Sequence, residues 1–140
     1  MPRLNWSRAL LGGLVAAVVW SILYAPLHPL VEAHDSLGRP VLPITPFRGA
    51  APVMRALVVI NGILQGITTV WLYAAIRPRF GPGPKTAAIA GFAVWVLVSW
   101  VHVTWAAFTA TRLTAVLLPL AANLPLILLA GMAGASLYRE

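Results

Sequence analysis

The chain has 140 residues, 60% of them hydrophobic and only 9% charged, with ten Lys and Arg against three Asp and Glu. A soluble domain carries about 25% charged residues, so a water-solvated fold of this length is excluded and lipid must be the solvent for much of the surface. The net charge of +7 sits at the ends of apolar runs, without a basic helix or an RNA-binding signature, which excludes nucleic acid as the expected partner; the lack of cysteine excludes disulfides, thiolate metal sites and iron–sulfur clusters.

Four apolar runs follow one another, at about residues 9–31, 54–76, 86–109 and 114–138. Each is long enough, at about 20 residues or more, to cross the hydrocarbon layer. Backbone groups in lipid must be satisfied within the segment, so each run is predicted to be a helix. The expected fold is therefore all-α, a four-helix transmembrane bundle, with residues 1–140 forming one domain.

The first run follows Arg3 and Arg8 and has the outline of a signal peptide. It is long for one, and Leu23-Tyr24-Ala25, followed by Pro26, is a poor cleavage site, so it reads as an uncleaved span. Pro26 and Pro29 leave two readings: a helix interrupted near His28, or a helix that ends near Tyr24. Residues 33–52 hold Pro40, Pro43, Pro46 and Pro52 with Gly38 and Gly49, a composition for a turned, extended loop.

The second run carries Gly62 and Gly66 as a GxxxG pair, and Pro78 is expected to end it. The basic connector that follows ends at Lys85, where Thr86 is expected to cap the third helix. The link around residues 110–112 is so short that the third and fourth helices must be antiparallel neighbours. Pro119 and Pro125 are expected to bend the fourth helix near Asn123. Gly12, Gly13 and Ala16, and Ala130, Gly131, Gly134 and Ala135, supply further small-residue faces. These faces are read as packing the bundle, with a homo-oligomer through Gly62/Gly66 as the other use of such a motif.

Polar residues fall at similar depth on all four helices: Tyr24, His28 and Glu32 on the first, Asn61 and Gln65 on the second, Ser99 and His102 on the third, Asn123 on the fourth. Intramembrane polar groups usually face the bundle interior. A polar pocket in the half away from the connector is thus expected. His28 and His102, with Glu32 and His34, are the candidate ligands for a metal or haem, since neutral imidazole suits both. No HExxH or comparable spacing accompanies them, and the simplest reading has no cofactor. Trp95, Trp100 and Trp105 around His102 would suit a quinone-like or lipid-like ligand.

Catalysis has little to work with. Ser99 and His102 share a helix face, but no acid orients the imidazole. Gly81-Pro82-Gly83-Pro84 has the glycines of a phosphate loop, yet its prolines remove the amide donors. Glu32 is the only acid near a span, and the connector half has almost no polar lining for a transport path. The chain reads as a small membrane protein without a catalytic site, an accessory or interaction subunit of a membrane complex. A pocket protein is the alternative and a small transporter the third reading. Arg77, Arg79 and Lys85 are expected to contact anionic lipid headgroups, at about 1 kcal/mol each.

The stretch Trp71-Leu72-Tyr73-Ala74-Ala75-Ile76-Arg77-Pro78-Arg79-Phe80-Gly81-Pro82-Gly83-Pro84-Lys85-Thr86-Ala87 resembles the connector of uncharacterised small bacterial four-helix integral membrane proteins. The tail Gly134-Ala135-Ser136-Leu137-Tyr138-Arg139-Glu140 is similar to theirs as well. The resemblance implies the four-span plan and a bacterial origin, hence the inner membrane, and transfers no functional residue. Orientation follows from the cations. Arg3, Arg8, Arg77, Arg79, Lys85 and Arg139 flank one side, and Arg39, Arg48, Arg55 and Arg112 the other. This bias predicts both termini in the cytoplasm.

Overall fold

The computed structural model describes residues 5–27, 52–108 and 113–138. They form four helices in chain order: α1 (Trp6–Tyr24), α2 (Pro52–Phe80), α3 (Pro84–Phe108) and α4 (Leu113–Ser136). Each contains a stretch long and apolar enough to cross a membrane. The all-α, four-helix expectation thus holds.

Where each helix stops follows from local chemistry. Asn5 caps α1, its side-chain oxygen accepting from the Arg8 backbone N–H at 3.2 Å and satisfying a donor that the first turn cannot. The helix ends at Tyr24, and residues 25–27 form a turn closed by Leu27 N–H donating to the Tyr24 carbonyl at 2.9 Å. The end of α1 at Tyr24 agrees with one of the two readings of Pro26, while His28 and Pro29, on which the other turns, lie outside the described residues. The helix proper is shorter than the apolar run because Pro26 has no N–H to continue the ladder.

Pro78 does not end α2, contrary to expectation. It lies within the last turn, where its fixed φ is helical and only one ladder bond is lost. Gly81 stops the helix instead, at φ +80°, with its N–H on the Arg77 carbonyl at 2.9 Å. This is the left-handed C-terminal residue that glycine adopts without Cβ strain. Thr86 does not cap α3 either. Its hydroxyl donates back to the carbonyls of Gly81 at 2.7 Å and Phe80 at 3.4 Å. It closes the end of α2, while Pro84 opens α3 as its first residue, where a missing N–H costs nothing.

The helices alternate in direction. α1 packs on α2 and α4, α3 packs on α4 and α2, and the α2–α4 diagonal is also in contact. α1 and α3 stand at opposite corners. α3 and α4 are antiparallel neighbours, as their short link required: Gly91 lies against Ile127 and Leu128, and Trp95 reaches the Leu120 carbonyl.

Hydrophobic exclusion cannot drive these contacts inside lipid, so close packing of small residues must. Gly12 meets Gly134, where an added Cβ would come within 2.6 Å of the Gly134 carbonyl oxygen. Gly13 lies against the Ile67 backbone, and Gly66 against Gly13 and Ala17. Gly12, Gly13, Gly66 and Gly134 therefore pack the chain on itself. The core sits in the half nearer the connector, around Ala9, Ala16, Val70, Tyr73, Ala74, Ala87, Ala90, Ala135 and Tyr138.

Candidate functional site

The two halves of the bundle hold different polar structures. In the half away from the connector, Trp20 on α1 donates its indole N–H to Asn123 Oδ1 on α4 at 2.6 Å. The same ring stacks on Tyr24, with centroids 4.9 Å apart. On the other side of α4, Trp95 of α3 donates to the Leu120 carbonyl at 2.9 Å. Pro125 interrupts the ladder of α4 in this neighbourhood. Two tryptophans thus bind polar groups of one proline-interrupted helix.

Below Trp20 a cavity of about 20 Å³ lies between α1, α2 and α4. Its walls are Ala16, Ala17, Gly62, Gln65, Gly66, Thr69, Ile127, Ala130 and Gly131, with Trp20 above. The volume suits one water molecule, and it is far below the several hundred Å³ of a site for a drug-sized ligand. Thr69 turns its hydroxyl onto the Gln65 carbonyl of its own helix at 2.8 Å, the usual refuge of a buried helical threonine.

The expected pocket residues divide into three sets. Gln65 lines the cavity, and Asn123 and Tyr24 meet at Trp20 above it. Asn61 and His102 are exposed, and His102 Nδ1 lies 2.8 Å from the Val98 carbonyl of its own helix. Ser99 is half-buried, and its hydroxyl oxygen has no hydrogen-bond partner among the described residues. His28, Glu32 and His34 lie outside the described residues, so His102 is the one candidate metal or haem ligand within them. It stands on α3, diagonal to α1.

The connector half, read as having almost no polar lining for a transport path, holds two buried tyrosine hydroxyls, each bonded to a backbone N–H. Tyr138 is 5% exposed, and its hydroxyl accepts the Asn5 backbone N–H at 3.1 Å. Tyr73 is equally buried, and its hydroxyl accepts the Gly83 N–H at 3.3 Å. The two rings meet edge to face, 6.2 Å apart at 87°, a geometry favoured by their quadrupoles. The Arg77 guanidinium lies over Tyr138, 5.9 Å from its centroid, at cation–π range. Arg79 and Lys85 are exposed beside it. The signal was a Leu-Tyr pair near the connector end of two helices: Tyr73 two turns before the end of α2 at Phe80, and Tyr138 two residues past the end of α4 at Ser136. Read singly, each passes for an interface anchor.

The fold defines the class: an integral membrane protein of four apolar helices, in which Trp20 bonds to Asn123, and Trp95 to the Leu120 carbonyl, from helix to helix. Comparison with models of protein families, with curated proteins and with solved structures finds no match.

Proposed function

We propose that this chain is a non-catalytic accessory or interaction subunit of a larger complex in a bacterial inner membrane, with both termini cytoplasmic. The observation that supports it is the position of Asn61. It lies within the apolar span Val59–Phe80 yet on the exposed surface. Eight residues from Thr69, it stands about 12 Å further from the connector. A polar amide on a lipid-facing surface is costly, and such groups normally turn inward or bond across helices. His102 on the neighbouring α3 is exposed as well. A helix of another subunit would satisfy both, whereas the cavity below Trp20 offers no more room than a water needs.

Isolation from native membranes in mild detergent tests the reading. A second chain in fixed stoichiometry is expected, released when Asn61→Leu and His102→Leu are combined. The chain migrating alone, or a complex indifferent to both substitutions, would overturn it. A visible absorption band on the isolated protein that shifts on reduction would favour the cofactor reading instead.

A further inference from the structure

A groove of about 420 Å³ opens on the outside of the bundle at its connector end, between the start of α1 and the end of α4. Arg8, Leu11, Ser136 and Leu137 line it. We propose that this groove is a binding site for one anionic phospholipid, with the phosphate on Arg8 and the glycerol end of an acyl chain along Leu11. The inference is independent of the accessory-subunit reading, because it concerns a different face and a lipid rather than a protein.

The groove has a rigid floor. The Asn5 N–H on the Tyr138 hydroxyl ties the start of α1 to the end of α4, and buried Ala9 and Ala135 pack behind it. One turn further in, the Gly12–Gly134 contact holds the two backbones together. These contacts set the spacing of the two walls, and the groove is open to the outside of the bundle.

The lining has the polarity of a phospholipid. Arg8 offers a planar fork of donors that matches phosphate oxygens, and the Asn5 cap fixes its backbone. The Ser136 hydroxyl spends its proton on the Ala133 carbonyl at 2.7 Å, which leaves its oxygen to accept from a headgroup hydroxyl. Leu11 lies one helical turn deeper than Arg8 and is 54% exposed, and Leu137 is 41% exposed. Cation outside and leucine toward the bilayer centre is the order in which a lipid presents phosphate and acyl chain. Arg8 itself is the cation of the groove, and a cation at the headgroup level attracts an anionic lipid more than a zwitterionic one.

Native mass spectrometry of the protein in neutral detergent, with phosphatidylglycerol or phosphatidylcholine added in equal amount, tests this site. One phosphatidylglycerol should be retained in preference to phosphatidylcholine. Arg8→Gln should lower that retention about fivefold, and Arg8→Lys should restore part of it. Leu137→Glu, at an exposed position, should lower it too by placing a carboxylate in the groove, and Arg8→Gln and Leu137→Glu should each lower it more than Arg79→Gln with Lys85→Gln, whose side chains do not line the groove. Equal retention of the two lipids, or undiminished phosphatidylglycerol on both Arg8→Gln and Leu137→Glu, would overturn the proposal. So would loss confined to the Arg79/Lys85 variant. Inorganic phosphate at the same concentration should not compete; if it does, the site reads free phosphate and not a lipid.

Discussion

Gly62 and Gly66 form one motif, and the structure gives its two members different work. An added Cβ at Gly66 would run into the Gly13 carbonyl and approach Ala17 N at 3.0 Å, whereas at Gly62 nothing lies within 4 Å. Backbone cannot yield as a side-chain tip can, so Gly66→Ala should push α1 and α2 apart and destabilise by about 1–3 kcal/mol. Gly62→Ala should change stability by no more than about 0.5 kcal/mol. Thermal unfolding in detergent, followed by helical circular dichroism, separates the two. Equal effects would mean that the motif's contact lies elsewhere, in a second copy of the chain. The motif was legible in the sequence; which glycine is pressed against backbone was not, because that depends on the rotation of α2 about its axis. Asn61 and Gln65 show the same limit. Spaced one turn apart, they were expected to share a pocket, but Gln65 lines the cavity and Asn61 is exposed.

At the scale of an element, the connector is more than a stiff turn. Gly81 stops α2, Thr86 returns to the carbonyls of Gly81 and Phe80, and Tyr73 accepts from Gly83. Four side chains or glycines thus fix the angle between α2 and α3. Gly81→Ala places a Cβ at φ +80° and should cost about 1–2 kcal/mol, seen as a lower unfolding midpoint in the same assay. An unchanged midpoint would show that the turn relaxes freely and that the connector does not set the α2–α3 angle. The connector and the tail meet at the Tyr73–Tyr138 edge-to-face pair and at Arg77 over Tyr138. In the sequence they stand at opposite ends of the second half of the chain, and only the bundle joins them.

For the whole molecule, the placement of charge is the guide to orientation. Among the described residues Arg8, Arg77, Arg79 and Lys85 gather at the connector end, and cations of this kind favour the cytoplasmic side. Alkaline phosphatase fused after Glu140 should therefore be inactive, and a cytoplasmic fluorescent reporter fused there should be bright. The reverse pattern would invert the bundle and place the groove at Arg8 against the outer leaflet. The ring order of the helices also bears on the cofactor reading. A site shared between the end of α1 and His102 on α3 would have to span a diagonal, across the α2–α4 contact.

The sequence by itself determined the spans, their helical form and their order. These follow from local requirements: enough apolar residues to cross lipid, and backbone bonds satisfied within each segment. It also determined that α3 and α4 pair, since their link is too short for anything else. The tertiary structure alone decided which polar groups meet. Trp20 finds Asn123, Asn5 finds Tyr138, and Arg77 finds the Tyr138 ring, each pair on different helices and far apart in the chain. The reason is that a helix's axial rotation within a bundle is set by glycine and alanine contacts with its neighbours. A rotation of one residue's arc, about 100° at 3.6 residues per turn, would exchange an inward side chain for a lipid-facing one.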